Sequence, residues 1–291
     1  MIKKIGIIGA GQMGNGIAHV SAACGYEVIL NDISMDRAEG GLTVIQKNLA
    51  RMVAKEKISQ QDAEKTINAI TLSSHLKDMA DADLVIEAAT ENMDIKLAIF
   101  KELSSHVKDT AILASNTSSI SITKLASATK NPQQFMGVHF MNPVPIMKLV
   151  ELIRGIATDD KTFTAVQTYI ETLHKTSIVS EDFPGFIVNR ILMPMINEAA
   201  YTLYEGVAGV ADIDTSMMLG TNHPMGPLTL ADFIGLDTCL AIMNVLYDGF
   251  SDSKYRPCPL LVKYVEAGWL GRKTGRGFYI YEGNDTPVPS R

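Results

Sequence analysis

The short apolar run Lys4-Ile5-Gly6-Ile7-Ile8 leads straight into Gly9-Ala10-Gly11-Gln12-Met13-Gly14, and a helical spacing of apolar residues follows over Ile17-Cys24. Strand, G-x-G-x-x-G and helix in immediate succession leave few folds open. Gly9 permits the tight turn, Gly11 lets a pyrophosphate come close to the backbone, and Gly14 lets helix and strand pack tightly. The helix N-terminus opening at Gln12 and Met13 then faces the phosphates. A second β-rich run, EVIL, ends in Asn31-Asp32, about twenty residues past the central glycine, where a carboxylate accepts hydrogen bonds from the adenosine ribose hydroxyls and repels a 2′-phosphate. Together these predict an NAD site built on Gly9, Gly11, Gln12, Met13, Gly14 and Asp32. Arg37 nearby tempers the preference against NADP. The competing reading is an ordinary glycine-rich turn with a surface aspartate.

Further on, β-branched runs at Leu84-Glu87, Ala111-Ala114 and Phe135-His139 alternate with helical patterns over Leu42-Val53 and Ile95-Val107. That alternation predicts a parallel sheet with crossover helices. From about Phe186 the segments read as helices, with IVNRILMPMINEAAYTLYEG and TLADFIGLDTCLAIMNVLY the longest. The fold class expected is α/β, a Rossmann-type dinucleotide-binding domain over 1–184 followed by a smaller all-helical domain over 185–291. Pro184 and Gly185 mark the hinge, Pro194 is expected to kink the helix it interrupts, and GRKTGRGFYIY offers a short extended tail.

Composition narrows the function. A chain of 291 residues with 46% hydrophobic and 20% charged residues buries a core without metal or disulfide help. Its 26 basic residues against 32 acidic ones, with no long Lys/Arg block, give no footprint for nucleic acid or an anionic membrane. Cys24, Cys239 and Cys258 form no C-x-x-C pair and suit a reducing compartment, so the cytoplasm is expected. The charge-free stretch Ile5–Tyr26 is interrupted by glycines, Gln12, Asn15 and His19, which argues against a signal or a membrane span. The histidines at 19, 75, 106, 139, 174 and 223 show no H-x-x-x-H spacing, and no metal is expected.

Polar islands stand where the sheet strands should end: Ser115-Asn116-Thr117-Ser118-Ser119, and His139-Phe140-Met141-Asn142-Pro143. Ligands gather at the carboxyl ends of strands in open α/β sheets, which places Ser118 and His139 near the cofactor. Glu151 lies a dozen positions beyond His139 in the apolar pattern Lys148-Leu149-Val150-Glu151, with Pro143 and Pro145 between. A hairpin would set the two opposite each other. A carboxylate on one imidazole nitrogen fixes the tautomer and stabilises the imidazolium formed when the other takes a proton, as oxidation of an alcohol by NAD requires. A structural histidine is the competing reading. A Ser-His-Glu hydrolase triad is another, although Ser118 lacks the G-x-S-x-G elbow.

The segments GAGQMGNGIA, LVIEAATEN, SNTSSISI, GVHFMNPVPIMKLVEL, DFPGFIVNRILMPMINEA, HPMGPLTLADFIGLD and GRKTGRGFYIY, in this order and over nearly the whole chain, resemble the 3-hydroxyacyl-CoA dehydrogenase family, in particular its short bacterial 3-hydroxybutyryl-CoA dehydrogenases. The resemblance implies His139 as acid/base paired with Glu151, and Ser118 and Asn189 as hydrogen-bonders of the reacting oxygen and adjacent acyl portion. It implies that Asp32, Glu91, Lys96, Ser118 and Asn142 line the NAD site, with Lys273 a further contact. From the residues alone, Glu91 and Lys96 read equally as a solvated pair at a helix start, and Lys273 as part of an exposed tail.

Lys47, Arg51 and Lys55 recur on one helical face, where they would meet the phosphates of coenzyme A or simply be solvated. The resemblance favours Arg51 and Lys55 as contacts to an acyl-CoA thioester. It further implies a homodimer through the helical domain. The other readings from the residues are a different hydroxy-acid or sugar-acid dehydrogenase on the same fold and a non-catalytic relative.

Overall fold

The computed structural model describes residues 2–281 and 288–290. The chain divides into two units, Met1–Phe186 and Ile187–Arg291. In the first, the elements run β1 (Lys4–Ile8), α1 (Gln12–Ala23), β2 (Glu27–Asn31), α2 (Met35–Ala54), α3 (Gln60–Asn68), β3 (Ile70–Ser73), β4 (Leu84–Glu87), α4 (Met93–His106), β5 (Ile112–Ser115), α5 (Ile122–Ala126), β6 (Phe135–Phe140), β7 (Leu149–Arg154), α6 (Asp160–Thr172) and β8 (Thr176–Glu181).

These strands form one sheet in the order β3-β2-β1-β4-β5-β6-β7-β8. Neighbours are parallel except β6 and β7, which pair antiparallel. Helices cover both faces, so the central strands are apolar on both sides. Alternation divides the side chains: Leu84 and Ile86 of β4, Met136, Val138 and Phe140 of β6, and Val150 and Leu152 of β7 pack with α1 and α6. Val85, Leu113, Phe135 and Ile153 pack with α4 and α5 on the other face. Glu87, Ser115, His139 and Glu151 each stand an even number of positions from one of this second group. All four therefore belong to the face toward α4 and α5, at the end of the sheet where the parallel strands finish.

Two strands in the sheet were not expected from the sequence, β3 and β8. The second unit contains α7 (Val188–Tyr204), α8 (Val210–Gly220), α9 (Pro227–Ile234), α10 (Leu236–Phe250) and α11 (Pro259–Glu266). Its core joins Met193, Ile196 and Ala200 of α7 to Leu228, Leu236, Met243, Leu246, Leu261 and Phe278. α7 continues through Pro194. The long apolar segment around residue 235 is two helices rather than one, because Gly235 adopts φ 104°, which a helix interior does not allow. The unit is not wholly helical: β9 (Tyr279–Ile280) pairs antiparallel with β10 (Val288–Pro289). Asp232 secures this tail by accepting bonds from the Phe278 and Tyr279 amides and the Tyr281 hydroxyl.

Candidate active site

The glycine loop has the shape that a dinucleotide demands. Gly9 sits at φ 97°, and a Cβ there would strike the Ala88–Ala89 backbone. A Cβ at Gly14 would collide with the Gly9 carbonyl, the close helix–strand approach anticipated above. Beside Gly11 the space is open, so the N-terminus of α1 is accessible to a phosphate. Asp32 is held at the end of β2, where its Oδ2 accepts the Ala10 amide at 2.8 Å and its Oδ1 the Ile33 amide at 2.8 Å. Gly9, Gly11, Gln12, Met13, Asp32 and Arg37 line a cleft of about 970 Å³. That volume and donor set fit an adenine dinucleotide. Gln12 also donates to Asn142 at 3.1 Å, tying the loop to the segment that follows His139.

At the same carboxyl edge of the sheet, register makes the central pair. His139 and Glu151 are direct partners in the antiparallel β6–β7 ladder, and Nδ1 lies 2.6 Å from Glu151 Oε2 with both side chains buried. A carboxylate there selects the tautomer with its proton on Nδ1. Nε2 then faces the Ser118 hydroxyl at 3.0 Å. The Phe186 ring lies 5.7 Å from the imidazole, tilted by 58°.

The loop that presents Ser118 is fixed from below. Glu91 Oε1 accepts the Thr117 hydroxyl at 2.6 Å, the Ser118 amide at 2.9 Å and the Ser119 hydroxyl at 2.8 Å. Asn116 accepts the Phe140 amide and so links this loop to the end of β6. Asp182 caps α5 through Ser121, Ile122 and Thr123, holding the far side.

Distances alone would also suit a Ser-His-Glu hydrolase. Such a site needs free N–H groups beside the serine to hold an oxyanion. Here the Ser118 amide is committed to Glu91, and those of Ser119 and Ile120 to the Thr117 hydroxyl. The arrangement suits proton transfer rather than acyl transfer.

Lys96 is only 1% exposed and its Nζ lies 2.7 Å from both oxygens of Glu87, itself 0% exposed, with Glu91 at 3.6 Å. A solvated Glu91–Lys96 pair is thus ruled out, and the partner that dominates Lys96 is one the sequence reading left unassigned. Glu87 carried a signal: a carboxylate closing an otherwise apolar central strand. Arg51 and Lys55 are exposed at the end of α2. In the second unit, Asn189 is buried in the first turn of α7, and Lys273 pairs with Asp237 at 2.5 Å.

Residues 4–183 match the family profile of the 3-hydroxyacyl-CoA dehydrogenase NAD binding domain, and residues 185–281 that of the 3-hydroxyacyl-CoA dehydrogenase C-terminal domain. The chain belongs to the 3-hydroxyacyl-CoA dehydrogenase family. Among curated relatives, a 3-hydroxybutyryl-CoA dehydrogenase of Bradyrhizobium diazoefficiens is 63% identical over 100% of this chain and 99% of its own. One of Clostridioides difficile is 47% identical over 96% of this chain and 99% of its own. The crystal structure of (S)-3-hydroxybutyryl-CoA dehydrogenase from Ralstonia eutropha is similar with TM-score 0.95 and 51% identity, covering 97% of this chain and 100% of that one. This dehydrogenase therefore carries its family's NAD-binding domain over residues 4–183.

Proposed function

We propose that this NAD-dependent 3-hydroxyacyl-CoA dehydrogenase interconverts (S)-3-hydroxybutyryl-CoA and acetoacetyl-CoA, with His139 as the acid/base. The observation that carries the site assignment is the chain Ser118 Oγ to His139 Nε2 at 3.0 Å and His139 Nδ1 to Glu151 at 2.6 Å. The short acyl chain rests on the names of the similar full-length relatives.

In the oxidising direction His139 Nε2 takes the proton of the 3-hydroxyl as the C3–H bond breaks and its electron pair leaves with hydrogen. NAD supplies the hydride acceptor, and NADH the donor in reverse. Glu151 holds the ring in the receptive tautomer and offsets the imidazolium charge. The Ser118 hydroxyl, within reach of Nε2, holds the same substrate oxygen, and the resemblance assigns Asn189 a hydrogen bond to the acyl portion. Glu91, Asn142, Lys96 and Lys273 are proposed around the cofactor, and Arg51 and Lys55 at the coenzyme A phosphates.

We also propose a homodimer, supported by exposed apolar side chains on the second unit, among them Ile191, Val207, Leu219 and Phe233. A cytoplasmic setting accords with the free cysteines, of which Cys239 has its thiol pushed up to about 12 by burial.

The test is NADH absorbance after addition of acetoacetyl-CoA, with NADPH and free acetoacetate in parallel. Rapid loss requiring both NADH and the thioester is expected. A protein that binds NADH yet oxidises it with no thioester would end the reading.

A further inference from the structure

Two pairs of directly opposed polar residues occupy one face of the sheet at its carboxyl edge: His139 with Glu151 across β6–β7, and Glu87 with Ser115 across β4–β5. The first pair is accounted for by proton transfer. The second is equally buried and carries a charge.

Glu87 is saturated with partners. Its Oε1 accepts the Ala89 amide at 2.8 Å, its Oε2 accepts the Ser115 hydroxyl at 2.7 Å, and both oxygens hold the Lys96 ammonium at 2.7 Å. Both oxygens of this carboxylate are committed within the sheet and to Lys96. What it does is settle the location of a buried positive charge. An ammonium enclosed as fully as that of Lys96 must be neutralised nearby, and two carboxylates flank it, Glu87 in contact and Glu91 at 3.6 Å. Glu91 has its other oxygen engaged with Thr117, Ser118 and Ser119.

We infer that Glu87 is a positioning residue: by holding Lys96 it leaves Glu91 free to clamp the Ser118 loop against His139. Remove the Glu87 charge and Lys96 has Glu91 as its remaining counter-ion. Closing the longer distance draws Glu91 off the Ser118 amide, and the Ser118 hydroxyl loses its fixed approach to Nε2. The inference rests on the proposed roles of Ser118 and His139 for its effect on catalysis, though not for its effect on the loop.

The experiment is a cycle of Glu87→Gln, Lys96→Met and the double variant, each checked for fold by circular dichroism and thermal melting. Two quantities are read: kcat at saturating NADH and acetoacetyl-CoA, and hydrogen-exchange protection of the 117–120 amides in cofactor-free protein. With Lys96 present, Glu87→Gln should lower kcat at least ~10-fold; in the Lys96→Met background the same change should cost less than ~3-fold. Protection of the Ser118 amide should follow the same pattern.

Equal losses in both backgrounds would make Glu87 a packing residue and overturn the inference, as would unchanged kcat and protection in Glu87→Gln. Should Glu87→Gln not fold, Glu87→Asp takes its place. That change keeps the charge but retracts the carboxylate; lowered kcat with reduced Ser118 protection supports the clamp, and wild-type values for both overturn it. If the wild-type protein proves inert toward acetoacetyl-CoA, the proposed substrate fails, while the exchange measurements still decide the role of Glu87.

Discussion

His139 and Glu151 are cross-strand partners, so the 2.6 Å contact between imidazole and carboxylate is set by the register of β6 on β7 and not by a loop conformation. His139→Ala should lower kcat by roughly two to four orders of magnitude in a folded protein that still binds NADH. Glu151→Gln keeps the shape and removes the charge that orients the ring; a loss of about 10²–10³ in kcat is expected. Turnover within a few-fold of wild type in either variant would exclude the pair from proton transfer.

Ser118 approaches Nε2 at 3.0 Å while its amide is held by Glu91. Ser118→Ala removes the hydroxyl and leaves the clamp, so about 10–10³-fold should be lost from kcat with thermal stability nearly unchanged. Melting curves beside steady-state kinetics make this check; a drop in melting temperature with normal kcat would assign the serine to structure instead.

Asp32 places its carboxylate on the rim of the cleft with Arg37 nearby. Asp32→Ala should weaken NADH and strengthen NADPH, shifting the ratio of their kcat/KM values by about 10-fold or more through loss of the ribose acceptor and of its repulsion toward a 2′-phosphate. Parallel titrations with the two nucleotides measure it, and an unaltered ratio would place cofactor choice elsewhere.

Arg51 and Lys55 stand exposed, one turn apart, near the end of α2. Replacing both by Glu should raise KM for acetoacetyl-CoA by about 10-fold while KM for NADH changes little. An unaltered KM for the thioester would return this face to the solvent.

His19 is buried in α1, its Nδ1 lacks a hydrogen-bond partner, and burial lowers its pKa from 6.5. Between the folded and unfolded values the unfolded chain binds more protons. The stability that depends on a neutral His19 is therefore complete above about pH 6.5 and declines as the pH falls toward the folded value, by about 1.4 kcal/mol for each unit of depression. Thermal melts from pH 7.5 to 5 should show this decline, and His19→Leu should flatten it. An equally steep decline in the variant would point to other groups.

The central strands were legible because they are buried on both faces and so read as unbroken apolar runs: β1, β4 and β6 are the clearest. β3 and β8 escaped notice for the opposite reason. They form the two edges of the sheet, where ITLS and TSIVSE are partly exposed without a regular alternation and carry too few apolar residues to announce a strand. α3 had a signal that went unread, the Ser59–Asp62 capping box. In the site, the pairing of His139 with Glu151 followed from spacing and two prolines. Glu87 showed only as a carboxylate closing an apolar central strand; its pairing with Lys96 of α4 is a tertiary contact that no local pattern contains.

One feature of the sheet bears on how such a site is made and kept. Parallel neighbours in it are joined through helical crossovers, whereas β6 and β7 meet through a short turn, with the proton acceptor on one arm and its carboxylate on the other. Closing so short a loop costs little chain entropy, and no distant segment has to arrive before the two side chains meet. The dyad is in effect a heritable cassette: a single contiguous stretch of gene encodes it, and insertions elsewhere in the domain leave its internal spacing intact.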